Sequence, residues 1–142
     1  MANDLHLGRE TLAAVIPRKR PAKAPQPSET QVVNAIRNRL ALHGILCQAN
    51  PNEARSAAAG RGLKIQGTIL GFPDLTVMSG DGRTAFLEVK APGARPRNAK
   101  ATAHWQRQAE TRATLARMGH LTGLVRDQDE AVELLRQAGW RV

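Results

Sequence analysis

Asp74, Glu88 and Lys90 are the side chains whose types and spacing suit chemistry best. Glu88 and Lys90 flank Val89 at the end of a short apolar run from Thr84. A strand sends alternate side chains to one face, so the acid and the ammonium become neighbours while Val89 enters the core. Asp74 follows Pro73 and opens the preceding apolar run, Leu75 to Met78, and Ser79-Gly80-Asp81-Gly82 has the composition of a hairpin turn. If the loop is Gly80 to Gly82, Ser79 pairs with Arg83 and Asp74 stands opposite Glu88. A turn of Asp81-Gly82 alone would oppose Asp74 to Val89 and part the acids, unless a bulge intervened. The first register or a bulge is the expectation.

Two hard carboxylates, the backbone carbonyl of Val89 and several waters suit Mg²⁺, with Mn²⁺ able to substitute. Such an ion acts as a Lewis acid on a scissile phosphate and lowers the pKa of an attacking water, with Lys90 orienting that water or offsetting charge on the phosphoryl oxygens. No covalent intermediate is needed. Pro-Asp and Glu-x-Lys are also common strings, and a Glu-Lys pair on a strand is often an ordinary solvated face, so the surroundings have to decide.

The elements that must position these residues follow from periodicity. Behind a Ser28 cap, Val32, Val33, Ile36 and Leu40 recur at helical spacing until Gly44, and Ile45 to Gln48 reads as a short strand. Asn52 could cap a weak helix from Glu53 to about Gln66, loosened by Gly60 and Gly62 and ended by Gly67. After the hairpin comes a basic loop, Gly93-Ala94-Arg95-Pro96-Arg97, then a helix from about Thr102 to Met118. Lys100, Arg107 and Arg112 add charge there, so Arg95, Arg97, Lys100, Arg107 and Arg112 are candidate phosphate contacts. Trp105 either stacks on a base or is buried against the sheet. Leu121 to Val125 should be a core strand, reached by a right-handed crossover parallel to the Glu-x-Lys strand. Asp127 and Glu130 have the spacing of an acidic capping box opening a last amphipathic helix to Gly139, and Trp140 to Val142 adds an edge strand or frays. The order implies an α/β fold with a mixed four-stranded sheet flanked by helices.

Composition bounds the partner. A chain of 142 residues is of single-domain size, and a net charge of +9 with a pI near 11.2 predicts a polyanion. Charge alone would equally fit a ribosomal or DNA-packaging protein. Residues 1–27, with Pro17-Arg18-Lys19-Arg20-Pro21 and Pro25-Gln26-Pro27, read as a flexible basic arm that either touches phosphates or merely solubilises. A lone cysteine, Cys47, excludes an internal disulfide, and the scattered His6, His43, His104 and His120 make no zinc site. No membrane-spanning or secretory segment is legible, which points to the cytoplasm of a bacterium or of a phage-infected cell. Aromatic residues make up 3% of the chain and no helix-turn-helix, zinc finger or phosphate loop is legible, so recognition through backbone and shape, at branches, flaps or junctions, is expected. A homodimer would place two sites on two strands.

One resemblance sharpens this. Gly71-Phe72-Pro73-Asp74-Leu75, Phe86-Leu87-Glu88-Val89-Lys90-Ala91-Pro92-Gly93, Gln108 eleven residues before Gly119, and Val125-Arg126-Asp127 are similar to the virus-type replication-repair nuclease (VRR-NUC) family of the PD-(D/E)xK superfamily. The similarity runs from about Ser28 to the C-terminus. Pro51-Asn52, Arg55 and the Leu63-Lys64 to Gly67 segment also resemble stand-alone phage and bacterial members. The resemblance implies a restriction-endonuclease-like core, metal-dependent endonuclease action on DNA, and service in phage or bacterial replication, repair or recombination. It makes Asp74 and Glu88 metal-binding acids, Lys90 the catalytic lysine, and Gln108 a support for that lysine or for a metal-bound water. Glu29 would face the metal from the first helix, although a first-turn acid there also suits the helix dipole. A second class of function remains open, a basic nucleic-acid-binding accessory protein whose acids are structural. A third, sequence-specific restriction, would yield discrete fragments.

Overall fold

The computed structural model of the chain describes residues 24–50 and 67–142. The expected basic arm, up to residue 23, and the expected weak helix from Glu53 to Gln66 lie outside the described residues.

Helix α1 spans Glu29–Leu42 and starts on a capping box: the Ser28 hydroxyl accepts from the Gln31 N–H and the Gln31 amide oxygen accepts from the Ser28 N–H. Its Val32, Ile36 and Leu40 lie one helical turn apart and are buried, so one stripe packs inward. Strand β1, Leu46–Ala49, begins one residue later than expected because Gly44, at φ +69, turns the chain out of the helix. Strand β2 is Leu75–Met78 and β3 is Thr84–Val89, paired antiparallel with Leu75 opposite Leu87 and Met78 opposite Thr84. Ser79 N–H bonds to Arg83 O, so the loop is Gly80 to Gly82 and the register puts Asp74 across from Glu88.

Helix α2 runs Ala99–Arg117, starting three residues before the expected Thr102 because Asn98 caps it, accepting from the Ala101 N–H at 2.8 Å. Strand β4, Leu121–Val125, has the expected bounds and pairs parallel to β3. Helix α3 is Gln128–Gln137, N-capped by Asp127. The capping box needs correction: the Glu130 carboxylate accepts from the Arg126 N–H at 2.7 Å, one residue before the cap, rather than from Asp127. Trp140 to Val142 neither adds a strand nor frays. Trp140 is buried at 5% exposure, under the guanidinium of Arg83, whose nitrogens also donate to the carbonyls of Ala138 and Gly139.

The sheet order is β1-β2-β3-β4, a mixed four-stranded sheet in an α/β fold. Its pleat sorts the chemistry. Leu75, Val77, Ala85, Leu87 and Val89 share one face and form a core with the buried stripes of α1 and α3. Phe86 and Glu88 take the other face, the one α2 covers, and Gln108 is the buried side chain of that helix.

Candidate active site

β3 is an interior strand, so its C-terminal end is held on both sides, and there Glu88 is 0% exposed and Lys90 6%. The Lys90 Nζ lies 2.6 Å from Glu88 Oε1 and 4.0 Å from Glu29 Oε2. From α2, Gln108 Nε2 donates to the same Glu88 oxygen at 2.5 Å. One turn earlier on that helix, Trp105 offers its ring to the ammonium, with Nζ 5.5 Å from the centroid. Asp74 meets the group from β2, and its Oδ2 accepts the Val89 N–H at 2.8 Å.

Burial of Glu88 disfavours its charged form, and the neighbouring Asp74 carboxylate disfavours it further. Against these, Lys90 contributes a hydrogen bond and a positive charge, and the balance holds the Glu88 carboxyl up at about 7. Asp74 acts directly on Glu88, and the ammonium of Lys90 lies against Glu88 from the side of Glu29. Two buried acceptors in this cluster, Glu88 Oε2 and Gln108 Oε1, receive no hydrogen bond. Oxygen donors of this hardness fit Mg²⁺ or Mn²⁺, which bind through one or two carboxylates and keep several waters. Among the described residues no group of three or more His, Cys, Asp and Glu side chains that could hold a metal ion gathers around one point.

The expected residues divide accordingly. Asp74, Glu88, Lys90 and Gln108 come together, and Val89 lies among them with its amide on Asp74. Glu29 meets Lys90 at the rim, its side chain 44% exposed, while also occupying the first turn of α1. Arg95, Arg97, Lys100 and Arg107 are exposed along the loop and helix that follow Lys90, whereas Arg112 is half-buried and a third of a turn from Lys100 around α2. Gln106, two residues from Gln108, is exposed. Neither expectation for Trp105 described its partner. Its spacing of three from Gln108, which puts both on one helix face, was the available signal. Gly71, part of the family resemblance, also has a packing role. At φ +80 it lies so close to α2 that a Cβ there would stand 3.0 Å from Arg107 Cγ and 3.2 Å from the Gln108 nitrogen.

Cys47 takes no part. Burial pushes its thiol up to about 11, away from the thiolate that a nucleophile needs, and it sits on β1 while His43 closes α1.

A solved structure described as a VRR_NUC domain superposes with a TM-score of 0.51, at 21% identity, covering 76% of this chain and 94% of that one. The chain has the fold of a VRR-NUC domain. No family model matches the sequence, and no curated protein does either. Within the VRR-NUC fold the acid pair, lysine and glutamine sit where β2, β3 and α2 converge, on the face opposite the apolar core.

Proposed function

We propose that the protein is a divalent-metal-dependent endodeoxyribonuclease, and that Asp74, Glu88, Lys90 and Gln108 are its working residues. The observation that carries this reading is the opposed acid pair on adjacent strands, with Lys90 and Gln108 both bound to Glu88 in a site where two buried oxygens lack donors. Asp74, Glu88 and the Val89 carbonyl would hold Mg²⁺ or Mn²⁺, with Glu29 at the rim. When bound there, the ion supplies Lewis acidity toward a phosphate and toward an attacking water. Lys90 would donate to a phosphoryl oxygen as negative charge grows on it. Gln108 fixes the Glu88 carboxylate, and Trp105 limits where the Lys90 ammonium can go. Arg95, Arg97, Lys100 and Arg107 would grip the phosphates on either side, with Arg112 contributing less.

Backbone contacts of this kind carry no sequence information, which supports selection of DNA by shape, at branches, flaps or junctions. Replication, repair or recombination of phage or bacterial DNA would offer such substrates in the cytoplasm. Among the described residues no helix is long and apolar enough to cross a membrane.

A metal titration on supercoiled plasmid, linear duplex and branched DNA tests the reading. Mg²⁺- or Mn²⁺-dependent nicking is expected, lost in Glu88→Ala and Lys90→Ala while DNA binding, followed by fluorescence anisotropy, persists. Binding without cleavage under either metal would replace this reading with that of a basic DNA-binding accessory protein.

A further inference from the structure

The β1–β2 and β2–β3 registers, each continued by one residue, put Asn50, Asp74 and Glu88 in one row across three strands, on the face that α2 covers. Asn50 N–H donates to Asp74 O at 2.7 Å, extending the β1–β2 ladder to the acid itself. The Asn50 side chain then works on both sides of Asp74. Its Nδ2 donates to Pro73 O at 2.8 Å and to the Thr76 hydroxyl at 3.0 Å, and that hydroxyl lies 3.1 Å from Asn50 Oδ1, within reach to donate back. Pro73 is buried and has no N–H of its own to anchor the turn.

The carbonyls of the two peptides flanking the Asp74 Cα are thus tied to one residue. Peptide units are planar, so fixing both leaves the Asp74 backbone little freedom and aims its carboxylate at the Val89 N–H and Glu88. The task requires a side chain with two donors and an acceptor in one plane, which among short side chains only asparagine supplies. Asn50 is half-buried and bonded at each of these points, so no part of the arrangement depends on an unpaired group.

We propose that Asn50, braced by Thr76, is a positioning residue that sets the Asp74 carboxylate for metal binding. The proposal rests on the nuclease reading for its consequence, while the linkage to Asp74 can be measured without metal or DNA. Val89 N–H, bonded to Asp74 Oδ2, is the reporter. In Asn50→Ala, and to a lesser degree in Thr76→Val, the Val89 amide should exchange about tenfold faster while Val77 and Leu87, in the apolar core, keep their protection. The Mn²⁺ concentration giving half-maximal cleavage, and Mn²⁺ affinity by paramagnetic resonance, should weaken by about tenfold, the range seen when a group supporting a metal ligand is removed. DNA affinity in Ca²⁺ should stay unchanged, and Thr76→Ser should recover the wild-type values. Wild-type Val89 protection in Asn50→Ala, or faster exchange that rises equally at Val77 and Leu87, would overturn the proposal. So would an unaltered Mn²⁺ response. Wild-type protein that neither binds Mn²⁺ nor cuts DNA would remove the nuclease reading and leave the Asn50–Asp74 linkage to be decided by exchange alone.

Discussion

At the scale of single residues, Glu88 has the most to lose from a change in its surroundings. Its carboxyl titrates near 7 in the fold against an ordinary 4.5, so the folded protein holds that proton over an interval where the unfolded chain releases it. Its contribution to stability is therefore full below about pH 4.5 and falls away as the pH rises toward 7. Without added metal, the thermal midpoint of wild type relative to Glu88→Gln should decline across that interval. On the proposed metal reading a divalent ion would compete with that proton, so a rise in midpoint on adding Mn²⁺ is expected, growing with pH over the same range. Gln108→Ala removes a neutral donor from a buried carboxylate and should cost about 1–3 kcal/mol by urea denaturation, together with most of the cleavage activity. Strand alternation puts Glu88 and Lys90 on one face, while the turn composition left two registers for Asp74 that only the Ser79–Arg83 pairing decides, and Gln108 was indicated by the family resemblance alone. What alternation does not carry is contact between distant segments. Nothing local ties Asn50 to Pro73 or Trp105 to Lys90, and both links appear only when the strands and α2 are in place.

Among the elements, α2 is the least conventional. Gln108 is the buried side chain of its nineteen residues, so little apolar burial holds it down, and it is seated instead by Gly71, Gln108 and Trp105. Its amides should exchange faster than those of α1 and α3, and they should slow when metal and DNA engage the site. Two glycines separate backbone strain from this seating. Gly82, at φ +87, has open space where a Cβ would go, so Gly82→Ala should cost only about 1 kcal/mol for its left-handed conformation and leave activity intact. Gly71→Ala adds a clash with the α2 backbone to a similar strain, so in urea it should cost more and should also reduce cleavage. Among the described residues, element identity and order were legible because apolar periodicity changes clearly from helix to strand at Gly44 and Gly119. The ends were harder to place. The start of α2 depends on Asn98 acting as a cap within a loop rich in Arg and Pro, and Glu130 reached past the residue its spacing suggested because Arg126 N–H was within range. Trp140 packs under Arg83, a partner so far away in sequence that no local pattern signals it.

At the scale of the whole molecule, the described surfaces differ in charge. The loop and helix after Lys90 carry Arg95, Arg97, Lys100 and Arg107, while α3 presents Asp129, Glu130 and Glu133 elsewhere. The logarithm of DNA affinity should therefore fall linearly with the logarithm of salt concentration. Replacing Arg95 and Arg97 by alanine should weaken binding to duplex and branched DNA alike and flatten that dependence by about one unit for each phosphate no longer gripped. The same division of the molecule gives it two separate optical windows. Trp105 sits beside Lys90 and Trp140 beside Arg83, at opposite ends of β3 and on the order of 20 Å apart along the strand. With Trp140→Phe all remaining indole emission would come from beside Lys90, so its intensity would register, photon by photon, the arrival of whatever draws that ammonium away from the ring.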